Sequence, residues 1–587
     1  MRNILTILAS ILFCSNVLAF QSEKDNRVRE YIMPARIVWN KYGEQIINKE
    51  VLLQPNVGQA TLNNEKLCQF VSTPNKKPSI LLDFGKEIQG GIQIVTGSFS
   101  SKEPVKIRIR FGESVSEAMC EIDGKNGATN DHAIRDYEVL VPWLGTIVTG
   151  NTGFRFVRID LIEENRDLLI KTIRAVSTYR DIEYKGSFKC NDEMLNKIWE
   201  TGAYTVHLNM QEYLWDGIKR DRLVWVGDLH PEVMTINYVF GYNNIVPASL
   251  DIIKENTPLP LWMNNISSYS MWWVLIQKDW FYFTGDKEYL NKQKVYLIKL
   301  LHQLAGQINE EGIENFKEGR FLDWSSSKNP SAIHAGLHSL LMLTMKAGGE
   351  LCNILGETET EKMCHSIYKK MMKGGEIVSK RFMDSVNSPI EPGCKQGASL
   401  MVMAEIVNSE EIHRNILNQE GARGFSTFYG YYILQAMAKS GHFIDALNVI
   451  REYWGAMINL GATTFWEDFN MDWLSNVGRI DEMPENNKRD IHKDFGDYCY
   501  KGYRHSLCHG WASGPTPWLS RYVLGVEVVE PGCKTIRITP NLGDLEWAQG
   551  TFPTPYGIVE ISHRKTINGK IKSKIKAPKE VRVLMSK

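Results

Sequence analysis

The feature that most limits how this chain can fold is a change of period along it. From about residue 35 to about residue 185, apolar residues recur at every second position, as in "VKIRIRF" (Val105 to Phe111) and, nearly, "FRFVRIDL" (Phe154 to Leu161). Gly90-Gly91, Gly112 and Gly153 punctuate these runs. Period two broken by glycine predicts half-buried strands joined by turns, and hence a β-sandwich. Such a domain can bind a glycan, but packing against a neighbour is the role expected here. At "CNDEMLNKIWE" the period becomes helical: Asn191 or Asp192 can cap a helix whose Leu195, Ile198 and Trp199 form an i, i+3, i+4 stripe. Further stripes follow at Leu297, Ile298, Leu301 and Leu304, at Met363, Ile367 and Met371, and at Ile433 and Met437. After Pro531 the alternation returns in "KTIRITP", "GIVEISHRK" and "GKIKSKIKAP", with Ile567-Asn568-Gly569-Lys570 predicting a type I′ hairpin.

A helical span of this length needs roughly ten or more helices, paired as αα-hairpins. Such pairs either stack as an open solenoid or close into a ring. No repeat of constant length is visible, which favours the ring, with its loops gathered at one end as the place for a pocket. The expectation is therefore a multidomain α plus β chain: a signal peptide over 1–19, an N-terminal β-sandwich over 20–185, a helical domain over 186–525 and a small β-domain over 526–587.

Charge and leader narrow the setting. Lys plus Arg and Asp plus Glu both number 68, so the net charge is zero and composition supplies no face for nucleic acid or an anionic membrane. "MRNILTILASILFCSNVLA" has a basic start at Arg2, an apolar run from Ile4 to Phe13 and a cleavage site after Ala19, which predicts export to the periplasm or beyond. No other segment reaches membrane-spanning length without charges. Nine cysteines remain after the leader, scattered and without CxxC, so neither a disulfide framework nor a zinc–thiolate site is expected, although one or two bridges stay open. His334 and His338 in "HAGLH" have helical metal-ligand spacing, but Ala335 stands where HExxH needs its glutamate. No metal and no cofactor is expected, and the glycine patterns of nucleotide sites and the GxSxG of esterases are absent.

Chemistry concentrates in two stretches of the helical span. "WDGIKRDRLVWVGD" (Trp215 to Asp228) holds Asp216, Asp221 and Asp228 beside Arg220 and Trp225. "GATTFWEDFNMDW" (Gly461 to Trp473) holds Glu467 beside Trp466. Hydrolysis of a glycosidic bond needs two carboxyl groups flanking it, one to protonate the departing oxygen and one to activate water or attack. Sugar rings stack their apolar faces on indole while their hydroxyls need carboxylates and arginine, so the mixture suits a sugar site. The competing reading is an amphipathic helix tied by Asp–Arg pairs. If the chain is helical from Asp221 on, then Asp221, Trp225 and Asp228 share a face at i, i+4, i+7, and Arg220 and Arg222 point away from it.

Together, "DGIKRDRLVWVGD" and "GATTFWE" resemble the α-L-rhamnosidases of glycoside hydrolase family 78. "DFGKEIQGGI", "RIRFGES", "FSTFYGYYILQAMAKSG", "SLCHGWASGPTPWL" and "VVEPGCKTIRITPNLGDLEWAQGTFPTPYG" extend the resemblance over nearly the whole chain after the leader. It implies an (α/α)6 barrel flanked by β-domains that releases terminal α-L-rhamnose from oligosaccharides, polysaccharides or glycosides with inversion. By motif, Asp221 is the carboxylate nearest the general-acid position and Glu467 takes the general-base position. Asp216, Arg220, Trp225 and Asp228 take sugar-binding positions, His509 matches a pocket histidine, and Tyr269, Trp272, Trp324 and Trp466 complete the expected walls. The sequence departs from the family motif Arg-Asp-Glu-Arg: it runs Arg220-Asp221-Arg222, one residue shorter and without the glutamate. The alternatives are a glycan-binding protein on the same fold without turnover, or a hydrolase of that fold acting on another sugar.

Overall fold

The computed structural model describes residues 25–585 apart from 64, 123, 124 and 499, so the expected signal peptide lies outside the described residues. The N-terminal strands are β1 (Arg27–Ile32), β2 (Arg36–Lys41), β3 (Ile46–Ile47), β4 (Cys68–Val71), β5 (Ser79–Thr96), β6 (Val105–Gly112), β7 (Asp136–Val141), β8 (Thr146–Leu161) and β9 (Asp167–Arg180). They run β3-β4-β9-β5-β8-β6-β7, with β1 on β9 and β2 on β5. The long strand β5 serves two layers. Its residues 79–83 pair with β2, and its residues 90–96 pair with β9 on the same side. Its pairing with β8 is irregular between Asp83 and Ile88 and between Gly90 and Ile92, where bulges bend a strand. Gly90 sits there at φ 147°, and a side chain would run into the Val176 carbonyl. The alternating residues Ile80, Leu82, Ile107, Ile109 and Phe154 fill the buried interior. A one-turn helix, α1 (Val115–Met119), follows β6 and is capped by Ser114, whose Oγ accepts from the Glu117 N–H.

The helices after it are α2 (Glu193–Asn209), α3 (Val226–Val239), α4 (Ile245–Glu255), α5 (Ser267–Thr284), α6 (Lys287–Ala305), α7 (Pro330–Leu355), α8 (Thr358–Ser385), α9 (Cys394–Met403), α10 (Ser409–Ile412), α11 (Gly430–Lys439), α12 (Phe443–Asn459) and α13 (Pro515–Trp518). Asp192 caps α2 as expected, accepting from the N–H groups of Met194 and Leu195. Helix α3 packs on α5, α5 on α7, α7 on α9, α9 on α11, α11 on α13, and α13 returns to α3. Six helices thus close an inner ring and the others lie outside it: an (α/α)6 barrel. Burial follows position. Every residue of the inner helix α3 is buried, whereas the outer helix α8 buries a stripe that includes Cys364, Met371, Val378 and Phe382.

A short strand before the barrel, β10 (Ser187–Cys190), belongs to the C-terminal sheet, where it pairs with β15 (Trp547–Thr554). Between them lie a two-residue bridge, β11 (Val477–Gly478) with β12 (Arg489–Asp490), and the strands β13 (Val526–Glu530) and β14 (Thr535–Ile538). After β15 come β16 (Gly557–Lys565), β17 (Ile571–Lys576) and β18 (Arg582–Met585). Two small sheets result, β10-β15-β16-β17 and β13-β14-β18. The β16–β17 turn is not type I′. Gly569 has φ 75° but Asn568 is not left-handed, and the N–H of Gly569 donates to Thr566 O (2.9 Å). That is a three-residue loop with a glycine bulge. Cys68, Cys190, Cys352, Cys364, Cys394, Cys508 and Cys533 are buried free thiols, so no bridge forms among these seven.

Candidate active site

The stretch expected to be helical from Asp221 is a loop, and α3 begins only at Val226 with Trp225 as its N-cap. Asp221 and Arg222 are left-handed, at φ 56° and 58°, which costs of order 1–3 kcal/mol each for side-chain-bearing residues. The loop is closed by Asp216, whose Oδ1 accepts from the Leu223 N–H (2.9 Å) while its own N–H donates to Leu223 O (3.0 Å). Asp221, Trp225 and Asp228 meet in space, but through this folded loop rather than along a helix face. Arg222 points away as expected, with its guanidinium over the Trp215 ring and one N–H on Asn151 O (3.0 Å). Arg220 does the opposite and turns into the site.

Three segments are laced together around a cavity of about 220 Å³. Gly510 N–H donates to Asp216 O, His509 N–H to Phe465 O, and Glu467 N–H to Ser506 O, each at 2.9 Å. Asp216, Arg220, Asp221, Trp225, Asp228, Tyr269, Trp324, Glu467 and His509 all line the cavity. Nine of the eleven expected site residues are therefore brought together. The other two are not. Trp272 is buried in the barrel, stacked on Tyr432 (4.6 Å) and His230 (4.8 Å). Trp466 is buried edge-on to Phe469 (5.8 Å) behind the wall. Both were expected as walls and neither is one, and Tyr500 and Trp511 stand there instead.

Arg220 organises the two carboxylates. Its Nη1 lies 3.2 Å from Asp221 Oδ1, and its Nη2 donates to Glu467 Oε1. One planar fork thus contacts both carboxylates. Glu467 Oε2 accepts the Ser506 N–H (3.1 Å). Asp228 accepts from Tyr269 Oη (2.9 Å) and from His509 Nε2 (3.0 Å), while His509 Nδ1 faces Glu467 at 3.9 Å. Gly227 is needed at this wall, because a Cβ there would enter the Tyr269 ring. Burial pushes the Asp216 carboxyl well above the usual range, with Asp221 and Asp228 adding to it against His509. Burial likewise raises Asp228, against the opposing pull of His509. Burial works against charge on His509, yet Glu467 and Asp228 outweigh it and its pKa lies above the ordinary value. The Trp225 indole N–H is buried without a partner among the described residues, a donor ready for a hydroxyl group.

Behind the cavity sits a charge cluster that spans two domains. Lys219 Nζ lies 3.0 Å from Glu113 Oε2 and 3.3 Å from Glu117 Oε1, and donates to the carbonyls of Tyr503 (2.9 Å) and His505 (2.6 Å). Glu113 also accepts the Leu507 N–H (2.6 Å) and Ser506 Oγ (3.3 Å). Glu113, Glu117 and His492 are close enough to hold a cation, and the Lys219 ammonium sits against their carboxylates. His132 of the same β-domain approaches Asp221 at 3.6 Å. Sequence reasoning assigned none of these a role, although Lys219 lies in the first stretch, Glu113 in "RIRFGES" and Ser506 in "SLCHGW". His334 and His338 hold no metal-like arrangement: His334 pairs with Glu314, and His338 donates to Met371 O (3.2 Å).

Residues 183–523 match the model of the bacterial alpha-L-rhamnosidase six-hairpin glycosidase domain, more than half of the chain. The chain belongs to the family of the bacterial alpha-L-rhamnosidase six-hairpin glycosidase domain. Residues 525–586 match the family's C-terminal domain. The α-L-rhamnosidase of Alteromonas sp. (strain LOR) is 22% identical over 555 residues, covering 88% of this chain and 57% of the relative. One from Formosa agariphila is 22% identical over 507 residues, 78% of this chain and 51% of the relative. The chain thus spans about half the length of the curated rhamnosidases it matches. The family 78 rhamnosidase of Bacillus sp. GL1 superposes with a TM-score of 0.73 at 20% identity, over 92% of this chain and 55% of that one. The Klebsiella oxytoca rhamnosidase with rhamnose bound gives 0.65 at 18% identity, over 85% of this chain and 96% of that one. Both share the fold of this rhamnosidase family member.

Proposed function

We propose that the chain hydrolyses terminal α-L-rhamnosyl groups with inversion, Asp221 serving as general acid and Glu467 as general base. The observation that carries this reading is the Arg220 fork, which holds the two carboxylates on one small cavity in a member of this family. Glu467, buried and anchored by Ser506, takes a proton from water as the water oxygen attacks the anomeric carbon. Asp221, at the more open side, gives its proton to the departing oxygen as the glycosidic bond breaks. Asp216, Asp228 and His509 hold hydroxyls, and Trp225, Tyr269 and Trp324 supply the ring contacts. A cavity of about 220 Å³ is below the roughly 300–1,000 Å³ of sites for drug-sized ligands and suits a single sugar ring. The bound rhamnose in the Klebsiella protein supports the same choice of sugar. Inversion requires roughly 6.5–9.5 Å between the two carboxyl groups, which leaves room for an attacking water.

A second reading follows from one observation: burial holds the Asp216 carboxyl well above its usual range, which a proton donor requires, whereas Asp221 is paired with Arg220. Aryl α-L-rhamnosides of graded leaving-group acidity separate the two. If Asp221 is the acid, Asp221→Asn loses most activity on poor leaving groups and keeps it on dinitrophenyl rhamnoside, while Asp216→Asn weakens both alike. The reverse pattern moves the role to Asp216, and full activity of Glu467→Gln removes the assignment of the base.

A further inference from the structure

A second cavity, of about 310 Å³, adjoins the first at Glu467. It shares Trp324, Glu467, Tyr500 and Trp511 with the first, so the two are adjoining rooms with a carboxylate and aromatic rings between them. The catalytic reading needs only one water beside the base. A water's share of liquid volume is about 30 Å³, a tenth of this space. The room is also built for something specific. Its walls carry Trp473, Phe425 and Tyr498, and its polar groups include Asp323, Asp468 and Asp497. Asp323 is rigidly held, accepting from Ser325 Oγ (2.9 Å), Ser426 Oγ (2.6 Å) and the Ser326 N–H (2.9 Å). Indole and phenyl faces with fixed carboxyls between them are what a hydroxyl-rich ring needs. Among the described residues no lysine, arginine or histidine lines this cavity; Lys328 pairs with Asp497 (3.2 Å) without lining it.

We propose that this second cavity binds an uncharged sugar unit attached to the non-reducing side of the rhamnosyl group, so that the enzyme also releases a capped rhamnose as an intact disaccharide. The inference rests on the catalytic reading above. Position decides the side of attachment. The leaving group must meet Asp221, which lines only the first cavity, whereas the second adjoins the first at Trp324, Glu467, Tyr500 and Trp511 and lacks Asp221. Charge decides the class. The lining offers carboxyls for hydroxyl groups and, among the described residues, no basic side chain to pair with a uronic acid or a sulfated sugar. Burial, with Glu467 adding to it, raises Asp468 to about 7, so its carboxyl can either donate to or accept from a hydroxyl near neutral pH.

The test uses 4-nitrophenyl α-L-rhamnoside alongside three 4-nitrophenyl rhamnosides bearing a glucosyl cap on O2, O3 or O4, and their glucuronosyl counterparts. The expected result is nitrophenol plus intact glucosyl-rhamnose from at least one capped substrate, at least tenfold faster than from its glucuronosyl version. Trp473→Ala, and independently Tyr498→Ala, should raise KM for that substrate about tenfold and leave the uncapped rhamnoside within twofold. Cleavage of the uncapped rhamnoside with none of the capped ones overturns this proposal alone. So does an equal effect of both variants on both substrates, or equal rates for neutral and charged caps. Failure to cleave any of them overturns the catalytic reading, and this one with it.

Discussion

The molecule has two β-domains, and only one of them reaches the site. Neither lines the cavity among the described residues. The N-terminal domain nevertheless grips the three segments that carry Asp221, Glu467 and His509: Glu113 holds Lys219 and the Ser506–Leu507 turn, Asn151 holds Arg222, and Arg155 donates to Gly461 O (2.9 Å) ahead of Glu467. The C-terminal domain instead packs on barrel elements away from the cavity, as where His563 Nε2 donates to Leu524 O (3.1 Å) and Cys533 Sγ to Phe283 O (3.3 Å). The difference separates two uses of the same kind of domain, one that buttresses the site and one that packs on the inner helices α3 and α5 away from the cavity. The packing role expected for the N-terminal domain is thus accurate but incomplete.

The largest effects should come from the carboxylates themselves. Glu467→Gln is expected to lower kcat on an aryl rhamnoside by about 10²–10⁴-fold, the range for losing a general base, with KM little changed. Next comes the buttress. Lys219→Met strands Glu113 and Glu117 in the interior without their cation, a break worth about 3–5 kcal/mol in denaturant unfolding. The milder Glu113→Gln keeps the shape and should lower kcat about 10- to 100-fold through misplacement of Glu467 and Arg220. Unchanged kcat in Glu113→Gln would reduce the N-terminal domain to a packing partner like the other.

That cross-domain grip was the part of the site hidden from the sequence. Asp216, Arg220, Asp221, Trp225, Asp228, Glu467 and His509 were legible because they crowd into short charged and aromatic stretches. Their arrangement was not: a helix was expected where two left-handed residues make a loop, since helical spacing and a tight loop can both bring Asp221 near Asp228. Trp466 adjoins Glu467, but its ring packs edge-on to Phe469 behind the wall, so only one of the pair faces the cavity. Trp272 lies one helical turn from Tyr269 and falls inside the ring, a depth that only the closure of six helices sets. Glu113 is more than 100 residues from Lys219, and no local pattern marks such a pair.

A smaller effect should appear in the pH dependence of stability. Burial, against the pull of Lys219, raises Glu113 to about 7. From the ordinary carboxyl range up to that value, the folded chain keeps a proton that the unfolded chain has released. Its contribution is therefore fully present at low pH and is lost as pH rises through about 7. Glu113→Gln removes this titration, so the variant's stability measured by urea unfolding at pH 5 and pH 7 should fall less between them than that of the parent. The smallest catalytic effect belongs to the C-terminal domain. His563→Ala should cost about 1–3 kcal/mol by leaving the Leu524 carbonyl and Ser573 unpartnered, yet leave kcat per folded molecule unchanged. A fall in kcat there would erase the contrast between the two domains.

The most direct measurement is proton NMR of 4-nitrophenyl α-L-rhamnoside during the first turnovers. The Asp221–Glu467 pairing predicts β-L-rhamnose as the first product, with the α anomer appearing only as mutarotation proceeds. First appearance of the α anomer, or no rhamnose at all, would contradict it.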